Sequence, residues 1–166
     1  LLAVLVAGML VIMKYALMRV RLEKLVDERT EALRVQAEEF ERQATHDKLT
    51  GLPNRRHADS YLQQQVDLAQ RRRRTGALAL ADVDHFKRIN DGYSHAIGDQ
   101  VLERVARILR DGCRKTDFVS RYGGEEFMLY FPDTGVDRAV QVCSDLREAV
   151  QGADWSDIAP DFAVTI

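Results

Sequence analysis

Cysteine is scarce in this chain. Only Cys113 and Cys143 occur among 166 residues, far apart and without paired spacing, which argues against a zinc framework or a disulfide scaffold and for a reducing cytosol. Both read as buried thiols. An excess of either charge is also lacking. The 24 Lys and Arg against 26 Asp and Glu leave a formal charge of -2, so no electropositive field would hold nucleic acid by its phosphates, and no nucleic-acid partner is expected. His46, His57, His85 and His95 lack metal-ligand spacing and read as structural. Charge is absent from Leu1 to Met13, and glycine and proline are absent from residues 19–45. These two absences shape the N-terminal part.

What is present, 166 residues of which 46% are hydrophobic, is long enough for one globular domain with an extension and too short for two domains of ordinary size. The chain opens on leucine and stops at Ile166 as an apolar run begins, so a piece of a longer protein is expected. The uncharged start, resuming after Lys14 through Tyr15 to Met18, resembles most of a membrane span. As a helix it reaches roughly 20 Å against a hydrocarbon thickness of ~30 Å. Residues 1–18 are therefore expected to be a partial transmembrane helix. Lys14, Arg19, Arg21 and Lys24 follow it, which places the remainder on the cytoplasmic side of the membrane. A buried or interfacial helix is the alternative, but no polar face interrupts the run.

Residues 19–45 place Leu22, Val26, Arg29, Leu33, Ala37, Phe40 and Ala44 at alternating spacings of three and four, one narrow helical stripe with charges on both flanks. The spacing of Leu22, Leu33 and Ala44 is nearer a hendecad than a heptad and predicts a parallel two-helix coiled-coil stalk. Arg29 on the stripe leaves open a single helix packed on its own domain.

The globular part is expected over 46–166. Thr50 to Asn54 break the helix, and Asn54 is a candidate N-cap for a helix from Arg55 to about Arg73, closed by the run Arg71 to Arg74. Ala77 to Val83 read as a buried strand ending in acid, and a short helix follows from His85 with Asp84 as candidate cap or structural acid. Helical spacing covers 97–111 and stops at Gly112. Phe118–Tyr122 and Glu126–Phe131 form a hairpin around Gly123, Gly124 and Glu125. A helix covers about Val136–Val150, and a last strand starts at Phe162. The order predicts an α+β fold with a central mixed or antiparallel sheet, its hairpin flanked by helices, behind a long N-terminal helix.

Asp82 at a strand end and Glu125 with Glu126 after a Gly-Gly turn bring oxygen donors toward one rim of this sheet. Such donors suit Mg²⁺, which takes few protein carboxylates and completes its shell with water and phosphates. Gly123 and Gly124, without Cβ, can take positive φ and lie close against a bulky ligand. Taken singly, these features also fit a solvated strand end and an ordinary turn.

The residues themselves then become recognisable. Arg121-Tyr122-Gly123-Gly124-Glu125-Glu126-Phe127 resembles the signature of the GGDEF family in its GGEEF form. Three further blocks, His46 to Arg56, Asp82 to Asp91, and Gly98-Asp99, resemble that family's other blocks in order and spacing. The resemblance covers 46–166 and implies a palm-like, nucleotidyl-cyclase-like domain that condenses two GTP into cyclic di-GMP with release of two pyrophosphates. It implies a homodimer through stalk and catalytic domain, one GTP per subunit, and Mg²⁺ or Mn²⁺ as cofactor. By carry-over, Asp82, the Val83 carbonyl and Glu125 bind the metal. Glu126 is a further ligand or accepts the hydroxyl proton, and Gly123 and Gly124 complete the catalytic turn. Asn90 and Asp99 read the guanine edge, while Phe86 and Lys87 belong to the substrate site, Lys87 toward the phosphates. Arg114 and Asp117 match the family's inhibitory product site, an arginine being suited to grip phosphate and stack on guanine.

Two departures from the family stand out. Ser94 replaces a common glycine before His95, and the chain ends before the family's later serine-glycine turn and basic residues, so this exact polypeptide is expected to be weak or inactive. Two rival functions are a catalytically inactive GGDEF module serving as a GTP or cyclic di-GMP receptor, and a membrane-bound coiled-coil adaptor.

Overall fold

In a computed structural model of the protein, residues 2–72, 74–158 and 162–166 are described. Leu1, the first residue of the expected span, and Arg73, the expected end of the second helix, lie outside the described residues. The chain divides into two compact units, Leu1–Ala44 and Thr45–Ile166.

Helix α1 (Leu2–Thr45) accounts for the first unit. Exposed pairs at helical spacing, Arg19 with Glu23, Arg34 with Glu31 and Arg42 with Glu39, each add a few tenths of a kcal/mol. The stripe residues Leu22, Val26, Leu33 and Phe40 are exposed along it. Among the described residues no helix is long and apolar enough to cross a membrane.

The second unit is an antiparallel sheet packed with helices. Helix α2 (Arg55–Arg72) begins where the Asn54 side chain accepts the His57 N–H at 3.0 Å, the N-cap its sequence predicts. Strand β1 (Gly76–Asp82), helices α3 (Phe86–Gly92) and α4 (His95–Gly112), the strands β2 (Phe118–Arg121) and β3 (Glu126–Pro132), and helix α5 (Val136–Gln151) follow. The sheet order is β1-β3-β2. In the centre, Phe127 to Phe131 are all buried, because a strand with a neighbour on each edge and helices on both faces has no solvated side.

Side-chain alternation sorts the two faces. Phe127, Leu129 and Phe131 join Val101, Val105 and Leu109 of α4 and Leu146 and Val150 of α5 in the core. On the other face Tyr130 meets Tyr61 of α2 edge-on at 6.0 Å, and Tyr61 stacks on Phe118 at 4.0 Å. β1 departs from the buried strand expected of it. Among the described residues it pairs only with β3; Ala77, Ala79 and Ala81 pack on the core while Leu78 and Leu80 are 50% and 68% exposed. One apolar run cannot reveal that only one of its faces is covered.

Two further expectations are corrected. Residues 162–166 form no strand. Val164 is buried, and one backbone bond, Asp84 N–H to Thr165 O at 2.9 Å, ties the segment to the end of β1, which is too little for a ladder. The cysteines are free and half-buried rather than buried. Burial, with the charges of Asp117 and Cys143 adding to it, pushes the Cys113 thiol up to about 11, leaving it a protonated, poor nucleophile at neutral pH.

Ser94, the departure from glycine, caps α4: its hydroxyl accepts the Ile97 N–H at 3.3 Å. Ser94→Ala is expected to lower stability by about 1 kcal/mol, read from urea melts, whereas Ser94→Gly should lie within a few tenths of the parent.

Candidate active site at the β1–β3 rim

The register of the sheet sets the chemistry. Asp82, last in β1, is paired with Glu126, first in β3, and the Val83 N–H donates to the Glu125 carbonyl at 3.2 Å. The expected metal donors Asp82, Val83 and Glu125, with Glu126 beside them, thus meet at one end of two adjacent strands. Val83 is fully buried while Asp82 is exposed and Glu125 half-buried. The Val83 carbonyl accepts the Phe86 N–H at 3.3 Å, which leaves a second lone pair for a cation.

The hairpin is closed by its own backbone. The Glu126 carbonyl accepts from Tyr122 N–H at 2.8 Å and Gly123 N–H at 3.1 Å. Neither Gly123 nor Gly124 uses the positive φ open to glycine; among the described glycines only Gly51 does. Their use is spatial. A Cβ on Gly123 would collide with the Glu126 carboxylate, while Gly124 faces open space where a ligand could approach. From α2, Arg55 lies over the Tyr122 ring at 4.7 Å and Asp59 accepts the Tyr122 hydroxyl at 3.0 Å.

The structure brings a second pair together. Gly98 of α4 is buried against α3, where a Cβ would overlap the Asn90 amide oxygen and approach the Phe86 ring tip at 3.1 Å. That contact sets Asn90 beside the helix turn carrying exposed Asp99. Phe86 is a core side chain, 8% exposed, so its contribution is to hold α3 on α4. Lys87, next to it, is exposed. Asp84 is not a cap. His85 precedes α3 at φ 57° without a side-chain cap, and the Asp84 carboxylate accepts the Thr165 hydroxyl at 2.6 Å.

Arg114 and Asp117 stand apart, at the opposite end of β2 from the Gly-Gly turn. Asp117 accepts the Arg114 backbone N–H at 2.9 Å, and Arg114 is exposed. A cavity of about 470 Å³ between β1 and α5 is lined by Asp82, Asp84 and Arg147 together with the apolar Leu109, Leu129 and Leu146, and neither Glu125 nor Glu126 is among its lining residues.

Sequence reasoning gave no role to Asp47 or Arg121. Their side chains pair at 3.0 Å across the fold. Burial alone would raise the Asp47 pKa, but hydrogen bonds from the Thr50 N–H and hydroxyl and from Arg121, with the Arg121 charge, hold the carboxyl below its usual value. Both residues sit within recognised blocks, but 74 positions apart, with no local sign of their contact.

Among the described residues no group of three or more His, Cys, Asp or Glu could hold a metal by itself. Two carboxylates and a backbone carbonyl form a smaller, all-oxygen set, and that fits a hard cation which keeps water and phosphate in its shell.

The sequence profile described as "Diguanylate cyclase, GGDEF domain" matches residues 44–156. The chain belongs to the GGDEF domain family. It is 42% identical to the diguanylate cyclase DgcP of Pseudomonas aeruginosa over 77% of this chain and 19% of that protein. It is 40% identical to the diguanylate cyclase DgcM of Escherichia coli over 86% of this chain and 34% of that protein. The chain thus spans about a third or less of the length of these curated relatives. Among solved structures, the coiled coil and GGDEF domain of DgcB from Caulobacter crescentus, in complex with c-di-GMP, superposes with a TM-score of 0.80 at 32% identity, covering 89% of this chain and 78% of that one.

Proposed function

We propose that the protein is a diguanylate cyclase that condenses two GTP molecules into cyclic di-GMP with release of two pyrophosphates, using Mg²⁺ or Mn²⁺. The observation that carries this reading is the pairing of Asp82 with Glu126 and of Val83 with Glu125 across β1 and β3, which gathers oxygen donors within a GGDEF domain. The naming of DgcP and DgcM as diguanylate cyclases supports it.

Asp82, Glu125 and the Val83 carbonyl would hold the cation. When bound, it neutralises phosphate charge and so favours in-line attack. Asp99 accepts from the guanine N1 and N2 donors, and Asn90 supplies the complementary amide. Lys87 meets the phosphates. Glu126 accepts the proton of the 3′-hydroxyl as its oxygen bonds to the α-phosphorus of the other GTP and the bond to pyrophosphate breaks. Since each nucleotide supplies nucleophile to the other, two subunits face each other, and the uncovered stripe of α1 is the proposed dimer seam. Arg114 and Asp117 are proposed to bind product and inhibit. The apolar start followed by Lys14, Arg19, Arg21 and Lys24 supports attachment to the inner membrane with the GGDEF domain in the cytoplasm.

The native-length protein incubated with GTP and Mg²⁺ should yield cyclic di-GMP on chromatography, and Glu125→Ala should reduce the yield by about 100-fold or more. GTP binding and dimerisation without product would instead establish a receptor.

A further inference from the structure

We propose that Arg121 is a positioning residue for the carboxylate-bearing turn, holding the peptide group that leads into Glu125 from a guanidinium that Asp47 orients. This rests on the reading of that turn as the cyclase site. Arg121 donates from Nε and Nη2 to the Gly124 carbonyl at 3.2 and 2.7 Å, and from Nη1 to Asp47 Oδ1 at 3.0 Å. The two side chains are only 15% and 24% exposed, so the contact is sheltered from competing water, unlike the exposed pairs along α1.

Asp47 is itself fixed. It accepts the Thr50 N–H at 2.9 Å and the Thr50 hydroxyl at 2.8 Å. Its turn is closed by Gly51 N–H to Asp47 O at 2.9 Å, with Gly51 at φ 69°. The Arg121 backbone is held too, its N–H on the Pro53 carbonyl at 3.0 Å.

Glu125 is consequently held on both sides. Its preceding peptide is gripped through the Gly124 carbonyl by Arg121, and its following one through its own carbonyl by Val83 at 3.2 Å. Gly124 makes no side-chain contact that could do this job, and a Cβ there would meet nothing within 4 Å. Without Arg121 the Gly124–Glu125 peptide is free to rotate. A planar guanidinium reaches a carbonyl and a carboxylate from different edges at once, whereas a lysine ammonium on a flexible stem cannot hold both in fixed geometry.

The test compares Arg121→Lys, Arg121→Gln and Asp47→Asn with the parent, and Arg110→Gln serves as a surface control because Arg110 is exposed and pairs with its exposed neighbour Asp111. Amide hydrogen exchange and steady-state kinetics with GTP and Mg²⁺ are measured on each. Both Arg121 variants are expected to lower kcat by about 10- to 100-fold, with KM for GTP within about twofold because Asn90 and Asp99 are untouched. Exchange at Tyr122, Gly123 and Val83 should rise about tenfold or more while α5 amides keep their protection. Asp47→Asn should move the same quantities less. Full kcat and hairpin protection in Arg121→Lys would overturn the proposal. So would a uniform loss of protection across the domain, which would make Arg121 merely stabilising. If the parent makes no cyclic di-GMP the cyclase reading fails, and exchange at the hairpin still decides whether Arg121 holds it.

Discussion

Asp82→Asn is expected to lower cyclic di-GMP formation by about 100- to 1,000-fold while leaving the fold almost unchanged. The side chain is exposed at the end of an edge strand, so its replacement should shift stability by no more than about 0.5 kcal/mol. Asparagine keeps the shape and one acceptor oxygen but removes the negative charge. A divalent cation held by only two protein carboxylates loses half of its protein charge complement, so the Mg²⁺ concentration for half-maximal rate should rise steeply. A Mg²⁺ titration at saturating GTP separates the two effects. Unchanged Mg²⁺ dependence would remove Asp82 from the metal site, and a melting transition far below that of the parent would indicate a structural role instead.

The second large effect is expected at Gly98. In Gly98→Ala the new methyl would strike the Asn90 amide oxygen first and crowd the Phe86 ring. The Asn90 amide is the tip of a flexible side chain and swings aside without moving backbone. Overpacking costs about 1–3 kcal/mol, and alanine in place of glycine within a helix returns about 1 kcal/mol, so net destabilisation should be small. Recognition should suffer much more. Misplacing an amide that pairs with the guanine edge forfeits about 1–2 kcal/mol of hydrogen bonding, or roughly 5- to 30-fold in GTP affinity. Calorimetric titration with GTP, alongside urea melts, checks both. Unchanged affinity in a properly folded variant would show that Asn90 does not read the base.

Much of the local structure is legible along the chain. Asn54 caps α2 because a short side-chain oxygen sits one residue before the first helical turn, a relation complete within four positions. The spacing of Val101, Val105 and Leu109 gives α4, and these residues are buried. The hairpin follows from two apolar runs around Gly123 and Gly124. Each is a short-range signal.

Errors fell where the deciding neighbour lay elsewhere. Asp84 has the right type and place for a cap, yet it accepts from Thr165, 81 positions away. Positive φ at the glycines is a freedom of the residue type; what the site uses is room for the Glu126 carboxylate. Ala77 to Val83 is apolar enough for a buried strand, but strand order decides that its Leu78 and Leu80 face solvent.

By itself, then, the sequence determined the helices, the hairpin, the ordered GGDEF blocks and the kinds of oxygen donors available, because periodicity, capping and motif spacing act over a few residues. Only the tertiary structure decided that Asp82 meets Glu126, that Asn90 is held beside Asp99 at Gly98, and that Arg121 joins Asp47 to the Gly124 carbonyl. Those contacts are made between segments distant along the chain. Strand register and helix packing select them by burying the apolar faces between, and no local pattern records that selection.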